Sequence, residues 1–263
     1  MTFNTIEFSI DGGVATLTLN RPKSLNSFTM EMHAEVREAM QQVHEDSSIR
    51  CLVITGAGRG FCAGQDLGDR AVTTDGGAPD LGESVEKNYN PLIRSITSLP
   101  KPVICAVNGV AAGAGSSIAL ACDIVLAARS ASFIQLFCKI GLVPDSGGTW
   151  ILPRTVGLAR AKGLAMLGDR LPAETAAEWG LIWKCVDDDA LAEEAQTMAR
   201  YFATQPTRAL GLIKQLLNDS STNTLFEQTG LEKEAMQELG QSDDYREGVA
   251  AFMEKRPPVF KGV

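Results

Sequence analysis

The sequence contains little histidine: His33 and His44 are the only two among 263 residues, and both lie within one predicted helix. The chain therefore has too few histidines to favour a histidine-based metal site or a Ser-His-Asp catalytic triad. We expect both histidines to be solvated helix residues. The six cysteines form no Cys-x-x-Cys pair, and most of them lie in apolar segments. This distribution favours buried free thiols in a reducing compartment over disulfides or a zinc site.

Positive charge is also scarce, because 24 lysines and arginines face 32 aspartates and glutamates, for a net charge of −8. Such a balance offers no general attraction for nucleic acid or for an anionic membrane surface. No segment approaches the roughly 18 consecutive apolar residues of a membrane span, and the first residues carry neither a basic nor an apolar signal region. We expect a cytoplasmic protein that binds neither nucleic acid nor membrane. Any anionic ligand would be held by contacts within a site and not by the overall charge of the protein.

Apolar residues make up 44% of the chain, which is enough to bury a substantial core. Alternation over residues 6–19 predicts a β-hairpin that turns at Asp11-Gly12-Gly13, and helical spacing predicts a helix from about Thr29. Two apolar runs, 51–55 and 102–107, are each followed by glycine-rich sequence and a helical pattern, which is typical of buried parallel strands. These elements predict a layered α/β core.

Two further regions differ from this core. Residues 68–90 are polar and rich in glycine and aspartate, which predicts a mobile surface segment that borders a site. After about residue 150 the pattern is almost entirely helical, and the last stretch of the chain predicts a helical appendage.

Three glycine-rich segments are candidates for chemistry, and the first spans residues 56–66. Four glycines there follow a predicted buried strand. Glycine permits positive φ and a close approach of the backbone to a ligand, so main-chain N–H groups can be directed outward. A plain tight turn is an equally good interpretation of this segment taken alone.

The second segment spans residues 108–123, where Gly113-Ala114-Gly115 follows a buried strand and leads into an apolar helix. Unpaired N–H groups at a helix N-terminus suit an oxyanion. A dinucleotide fingerprint would have Gly or Ala in place of Ile118 and a later acidic residue, so the pattern argues against a Rossmann site. No Walker A pattern occurs either.

The third segment, residues 139–150, places Asp145 between a proline and a glycine pair that opens another helix. The simple interpretation is that Asp145 or Ser146 caps that helix.

Together the segments resemble the crotonase (enoyl-CoA hydratase/isomerase) superfamily, whose members carry an Ala-Gly-x-Asp element, a Gly-x-Gly helix start and a Pro-x-x-Gly-Gly-Thr element in this order. All three are present, as Ala63-Gly64-Gln65-Asp66, Gly113-Ala114-Gly115 and Pro144-Asp145-Ser146-Gly147-Gly148-Thr149. The resemblance extends over essentially the whole chain, from Leu19-Asn20-Arg21-Pro22 and Leu25-Asn26 to Phe260-Lys261. Jointly these motifs are highly specific.

The resemblance implies an α/β fold with two regions. Residues 1–200 would form a spiral core of ββα units that holds the acyl-CoA site. Residues 201–263 would form a helical region that mediates oligomerisation, giving homotrimers or hexamers built as dimers of trimers. No metal or redox cofactor is implied, because CoA is part of the substrate.

The resemblance also implies an oxyanion hole formed by the backbone N–H groups of Gln65 and Ala114, which would polarise the thioester carbonyl. The residues that it implies for substrate and CoA binding are Lys23, Ser24, Leu25, Ala63, Gly64, Asp66 and Gly113, together with Lys261 from a neighbouring chain. Lys261 is equally well interpreted as a solvated tail charge. The carboxylates of Asp66 and Asp123 are interpreted as structural rather than catalytic.

Hydratases of the family use two glutamates, and motif alignment places Ser117 and Phe137 at those positions. Addition of water to a double bond requires a paired acid and base, so the sequence argues against hydratase activity. The remaining carboxylate, Asp145, occupies a position where family isomerases have a base and a dehalogenase of aromatic thioesters has a nucleophile. A single carboxylate can carry a proton from the α carbon to another carbon, which shifts a double bond.

Within the family, the chain is most similar to isomerases that act on the ring epoxide of phenylacetyl-CoA in bacterial phenylacetate catabolism. The segments that carry this similarity are 60–67, 79–82, 89–91, 107–115, 140–150 and 244–249. It implies conversion of 2-(1,2-epoxy-1,2-dihydrophenyl)acetyl-CoA to an oxepin-CoA, with Asp145 as the proton carrier. Association with a hydratase of the same pathway remains open.

Several alternatives remain. A Δ3-Δ2-enoyl-CoA isomerase would use the same carboxylate, and a dehalogenase would attack through it but lacks a group to activate water. A noncatalytic acyl-CoA-binding homologue would be indifferent to Asp145→Asn. The acidic balance argues against an RNA-binding homologue.

Overall fold

The computed structural model describes residues 3–68 and 80–263. The strands are β1 (Ile6–Asp11), β2 (Val14–Leu19), β3 (Cys51–Gly56), β4 (Gly60–Cys62), β5 (Val103–Val107), β6 (Val110–Ala112), β7 (Ile124–Ala128), β8 (Ser132–Ile134), β9 (Arg170–Pro172) and β10 (Lys184–Val186). The α-helices are α1 (Met30–Glu45), α2 (Leu81–Ser84), α3 (Asn90–Ser98), α4 (Ala114–Leu120), α5 (Gly148–Leu167), α6 (Ala173–Glu178), α7 (Leu191–Ala203), α8 (Thr207–Asp219), α9 (Leu225–Leu239) and α10 (Asp243–Glu254).

The predicted hairpin, first helix and parallel strands are confirmed. β1 and β2 pair antiparallel from Ile6↔Leu19 to Asp11↔Val14. α1 begins after Thr29, whose side-chain oxygen accepts a hydrogen bond from the Met32 N–H at 3.2 Å and so caps the helix. β3 and β5 pair in parallel, as their apolar composition predicts.

The prediction of a polar surface segment over residues 68–90 is partly wrong. Residues 69–79 lie outside the described residues. The chain then forms α2, a π-helical turn (Val85–Tyr89) and α3 without a break, and both Asn88 and Tyr89 are buried.

The strands form two sheets of different size. The larger has the order β1-β2-β3-β5-β7-β10 and the smaller the order β4-β6-β8-β9. Three successive pairs, β3–β4, β5–β6 and β7–β8, each send their first strand to the larger sheet and their second to the smaller one. A helix follows each pair, so the chain winds as the predicted spiral of ββα units.

The larger sheet is the centre of the core. Every residue of β5 is buried, which is expected for a parallel strand that is covered on both faces. Helix α7 packs on β3, β5 and β7 through buried Leu191, Ala195 and Ala199, which share one helical face. α7 therefore belongs to the core and ends at Ala203, shortly before the last three helices.

The last helices are tied to the core by a half-buried ion pair. The Lys214 ammonium of α8 lies 2.9 Å from the Asp123 carboxylate and donates to the Ile96 carbonyl at 2.7 Å. Asp123 also accepts a hydrogen bond from the Val103 N–H at 2.7 Å, and burial raises its pKa. These contacts give Asp123 the structural role that the sequence analysis assigns to it.

The surface of the last helices carries large apolar side chains. Phe226 is 89% exposed and Phe252 is 82% exposed in the single chain, and such side chains are often covered in an assembly. The oligomerisation role of residues 201–263 stays a prediction. Among the described residues, no helix combines the length and apolar composition that a membrane crossing requires.

A buried asparagine joins the loop after β2 to β4 and to the loop that precedes it. Asn26 is fully buried, and its side-chain NH2 group donates to the carbonyls of Ala57, Gly60 and Phe61 at 2.9, 2.9 and 3.1 Å. Its side-chain oxygen accepts from the Arg21 N–H at 2.9 Å. Its φ of +57° is tolerated better by asparagine than by most residues.

We expect Asn26→Ala to lower the free energy of unfolding by about 3 kcal/mol, because buried carbonyls lose their donor and alanine is strained at positive φ. Urea unfolding followed by circular dichroism measures the change. Asn218→Ala is the matched control, since Asn218 is exposed and makes one 3.2 Å hydrogen bond to the Thr97 carbonyl. Equal destabilisation by the two substitutions would contradict this role of Asn26.

Candidate active site

The carboxyl ends of three parallel strands meet at one edge of the smaller sheet. β4 pairs in parallel with β6, and β6 pairs in parallel with β8. Residues 63–66 follow β4, Gly113 follows β6, and the chain reaches Asp145 after β8. Because ligands of parallel sheets bind beyond the carboxyl ends of the strands, this edge is the candidate active site.

The backbone around Gln65 is held by Phe28. The Phe28 N–H donates to the Gly64 carbonyl at 2.7 Å, and the Asp66 N–H donates to the Phe28 carbonyl at 2.9 Å. The Gly64 carbonyl and the Gln65 N–H belong to one trans peptide and point in opposite directions. The Gln65 N–H is therefore directed away from Phe28. Gly64 has a φ of +88°, a conformation for which glycine is suited.

Ala114 supplies a second amide beside it. Ala114 is the first residue of α4, so its N–H has no carbonyl partner within the helix. A Cβ atom built on Gly64 would lie 2.9 Å from the Ala112 oxygen and 3.2 Å from the Ala114 nitrogen. The absence of a side chain at Gly64 thus lets the Gln65 and Ala114 peptides, which the sequence predicts as the two donors, lie next to each other.

Asp145 precedes α5 without capping it. The N-cap residue of α5 is Gly147, with a φ of +79°, so the interpretation of Asp145 or Ser146 as a simple helix cap is wrong. The Asp145 carboxylate is half-buried and accepts a hydrogen bond from the Ser146 hydroxyl at 2.9 Å. Two successive residues with positive φ, Ser146 and Gly147, separate the carboxylate from the start of the helix.

Ser117 and Phe137 lie close to these elements. A Cβ atom on Gly148 would be 2.9 Å from the Ser117 hydroxyl oxygen, and one on Gly113 would be 3.8 Å from Cζ of Phe137. Both side chains are buried. At the positions where hydratases are expected to carry glutamates, the site therefore has a hydroxyl and an aromatic ring.

The two segments predicted to bind CoA lie side by side. The Ala63 N–H donates to the Leu25 carbonyl at 2.9 Å, and the Leu25 side chain covers Gly60. Lys23 and Ser24 are exposed in a 3-10 turn just before Leu25. The backbone of Lys23 and Ser24 therefore lies close to the segment that carries Gln65.

Two other ionisable groups near the site are not suited to proton transfer. The Asp66 carboxylate lies 2.9 Å from the Arg21 guanidinium, which lowers its pKa, and also accepts from Ser27 and the Gly68 N–H. Burial raises the pKa of the Cys62 thiol to about 12, so it stays protonated at neutral pH. The Asp66 side chain is engaged within the fold, and its predicted CoA contact would come from the backbone.

Lys261 is not brought to this site within one chain. Its N–H donates to the Asp244 carboxylate at 2.6 Å, and the preceding Phe260 carbonyl accepts from Arg50 at 3.0 Å. Arg50 precedes β3, whereas the glycine-rich loop of the site follows β3, so Lys261 lies at the opposite end of that strand. Its predicted contact with CoA requires a neighbouring chain.

Two residues near this site, Tyr89 and His33, were not predicted correctly from the sequence. Tyr89 is fully buried, and its hydroxyl donates to Oε1 of Gln65 at 2.8 Å. His33 is buried rather than solvated, and its ring centroid lies 4.5 Å from that of Tyr89. The helical spacing of Tyr89, Leu92 and Ile96 was the available signal, because all three are buried on one face.

The chain is similar to known proteins over nearly its whole length. The family model described as enoyl-CoA hydratase/isomerase matches residues 9–263. The chain is 62% identical to the 1,2-epoxyphenylacetyl-CoA isomerase of Escherichia coli (strain K12), over 96% of this chain and 97% of that protein. It is 34% identical to the trans-2-decenoyl-[acyl-carrier-protein] isomerase of Streptococcus mutans, over the full length of both. A crystal structure of an enoyl-CoA hydratase from Polaromonas sp. JS666 has 37% identity and a TM-score of 0.90, covering 97% of this chain and 99% of that one. The chain belongs to the enoyl-CoA hydratase/isomerase family.

Proposed function

We propose that this protein is an isomerase that converts 1,2-epoxyphenylacetyl-CoA to an oxepin-CoA in phenylacetate catabolism. The observation that supports the reaction type is one half-buried carboxylate, Asp145, three residues before Gly148, where an added Cβ would lie 2.9 Å from the hydroxyl oxygen of Ser117 in α4, the helix that begins at Ala114. Ser117 and Phe137 stand at the positions expected for hydratase glutamates. The 62% identity to the Escherichia coli 1,2-epoxyphenylacetyl-CoA isomerase supports the choice of substrate.

The two amides stabilise the charge that develops during the reaction. The thioester oxygen accepts hydrogen bonds from the Gln65 and Ala114 N–H groups. When the α proton leaves, negative charge moves onto this oxygen and the two bonds strengthen. Removal of one such donor costs roughly 100- to 1,000-fold in kcat in a serine protease, so this effect is large enough to carry much of the catalysis.

Asp145 moves the proton. Opening of the carbon–carbon bond shared by the epoxide and the six-membered ring gives a seven-membered oxepin. The Asp145 carboxylate then takes a proton from the α carbon, and the electron pair forms the enolate. As the thioester carbonyl re-forms, a double bond forms between the α carbon and the ring, and a ring carbon takes the proton back from Asp145. No atom is gained or lost, so the step needs no oxidant or reductant.

A simple double-bond isomerase is the second candidate. It is favoured by the 34% identity to the trans-2-decenoyl-[acyl-carrier-protein] isomerase of Streptococcus mutans. The same carboxylate would take the α proton and return it to the γ carbon, with the same amides holding the enolate. The two candidates differ in the acyl group and not in the role of Asp145.

The assembly completes the proposed site. We expect residues 201–263 to form the contacts of a trimer, or of a hexamer built as a dimer of trimers, and to cover the exposed side chains of Phe226 and Phe252. In that trimer, Lys261 of a neighbouring chain would approach the CoA phosphates. A cytoplasmic location and association with a pathway hydratase complete the proposal.

We expect Asp145→Asn to lower kcat by at least about 100-fold, because the amide cannot accept the α proton and general acid–base catalysis is typically worth that much. Turnover of enzymatically generated 1,2-epoxyphenylacetyl-CoA, followed by mass spectrometry in deuterated water, measures both product formation and proton transfer. Asp189→Asn is the matched control, since Asp189 is exposed.

The outcomes separate the candidates. Conversion of the epoxide by the natural protein, and its loss in Asp145→Asn alone, supports the ring-epoxide isomerase. If the epoxide persists while a 3-enoyl-CoA is isomerised, the second candidate is correct. If neither compound reacts while CoA esters still bind, the protein is a noncatalytic binder and the proposal is wrong.

We expect Gly64→Ala to lower kcat by about 100-fold, because the added Cβ would push the Gln65 and Ala114 donors apart. Steady-state kinetics with the epoxide substrate measures the effect. Gly180→Ala is the control for backbone strain, since Gly180 has a φ of +76° and open space around its Cα. Equal kcat losses in the two variants would show that strain, and not the separation of the donors, is responsible.

A further inference from the structure

We propose that Tyr89 is a positioning residue that fixes the Gln65 side chain and so holds the Gln65 backbone N–H in the direction required for the oxyanion. Tyr89 acts through Gln65 and does not itself contact the substrate. The inference rests on the proposed function, because it gives Gln65 the role of an oxyanion donor.

The peptide that carries the Gln65 N–H needs a restraint on its orientation. It joins Gly64 to Gln65, and glycine at a φ of +88° has more rotational freedom than any other residue. The Phe28 N–H restrains the carbonyl side of this peptide with one 2.7 Å hydrogen bond. The Phe28 carbonyl restrains the following peptide by accepting the Asp66 N–H at 2.9 Å. The Gln65 side chain adds a further restraint on rotation about the Gln65 backbone bonds.

The Gln65 side chain is anchored at both ends of its amide. Its Nε2 group donates to the carbonyls of Phe28 and Asp66 at 3.1 and 3.2 Å. Because those two partners are acceptors, the NH2 group must face them, and the amide oxygen must face the other way. There it accepts the Tyr89 hydroxyl at 2.8 Å. The side chain is therefore held between the backbone carbonyls of Phe28 and Asp66 and the helical segment that carries Tyr89.

Tyr89 is itself held rigidly. Its side chain is fully buried, and its ring lies 6.1 Å from the Phe28 ring and at right angles to the His33 ring. It is the last residue of the π-helical turn Val85–Tyr89. Single π-helical turns within helices are often found at functional sites, because the extra residue redirects a side chain.

Helix α3, which continues directly from Tyr89, also lies next to the turn that follows Asp145. Ile93 follows Tyr89 by one helical turn, and its Cγ2 lies 3.7 Å from the position of a Cβ on Gly147, in the turn that follows Asp145. One face of this helix therefore contacts Gln65 through Tyr89 and brings Ile93 beside the turn that follows Asp145. Tyr89 is the polar contact that links the donor to this helix.

The experiment compares Tyr89→Phe, Gln65→Met and the double variant with the natural protein. Tyr89→Phe removes the hydroxyl and keeps the ring, and Gln65→Met keeps the backbone N–H. We expect each single variant to lower kcat for the epoxide about tenfold with little change in KM. The Gln65 N–H would still be present but would point less directly at the oxyanion, so the loss should be smaller than the roughly 100-fold or greater loss that follows deletion of a donor. The double variant should be no worse than the singles, since both remove the same contact.

A second readout reports the hydrogen bond to the carbonyl directly. Phenylacetyl-CoA labelled with 13C at the thioester carbonyl is bound to each protein, and the carbonyl chemical shift is measured by NMR. We expect the downfield shift in the natural protein to be reduced in Tyr89→Phe. Tyr201→Phe is the matched control, since Tyr201 is 59% exposed and should leave kcat and the shift unchanged.

The inference is overturned if Tyr89→Phe keeps the natural kcat and carbonyl shift. It is also overturned if the losses of the two single variants multiply in the double variant, or if Tyr89→Phe lowers thermal stability without changing the shift. The labelled thioester separates this test from the proposed function. If the natural protein shifts the carbonyl but does not convert the epoxide, the proposed substrate fails while the role of Tyr89 is still decided.

Discussion

The side-chain amide of Asn26 is the contact on which the candidate site depends. It donates to the Ala57 carbonyl in the loop between β3 and β4 and to the Gly60 and Phe61 carbonyls of β4, and β4 leads directly into the segment that carries Gln65. A buried carbonyl that loses its partner costs more than an ordinary hydrogen bond contributes. The loop is thus held to the turn after β2, and the Leu25 carbonyl in that turn then accepts the Ala63 N–H. This one side chain therefore links the two predicted CoA segments, and the backbone hydrogen bonds of Phe28 hold the second of them in place.

The repeated ββα unit explains why the functional groups converge. Each unit sends a short strand to the smaller sheet, and the residues that follow β4, β6 and β8 all emerge at the same edge. If these residues carried side chains, the side chains would keep the backbone peptides of neighbouring units apart. Gly64 and Gly115 remove that separation, since a Cβ on Gly115 would lie 2.4 Å from the Cys62 carbonyl. The donors can be adjacent because the backbone of one unit packs directly on the next.

Periodic features of the sequence were predicted well, and single polar contacts were not. The hairpin, α1 and the parallel strands follow from alternation, helical spacing and apolar runs. The hydrogen bond between Tyr89 and Gln65 was missed because the two residues are 24 positions apart and a single hydrogen bond leaves no periodic pattern. The burial of His33 was missed because it depends on the rings of Phe28 and Tyr89, which pack against it. The helix cap at Asp145 was a sound local expectation. It failed because positive φ at Ser146 and Gly147 moves the helix start past the carboxylate.

The number of carboxylates at this edge decides which chemistry the fold can support. Two acidic groups close together would repel one another as anions, and one would hold a proton that can be donated while water is activated by the other. Buried Ser117 and Phe137 stand at the two expected positions, and neither can supply that second acidic group. In the proposed reaction, the proton that Asp145 takes therefore returns to the substrate. An enolate held by two amides can then be reprotonated at a different carbon. Isomerisation therefore follows from the same scaffold as hydration once the two glutamates expected of a hydratase are replaced by neutral side chains.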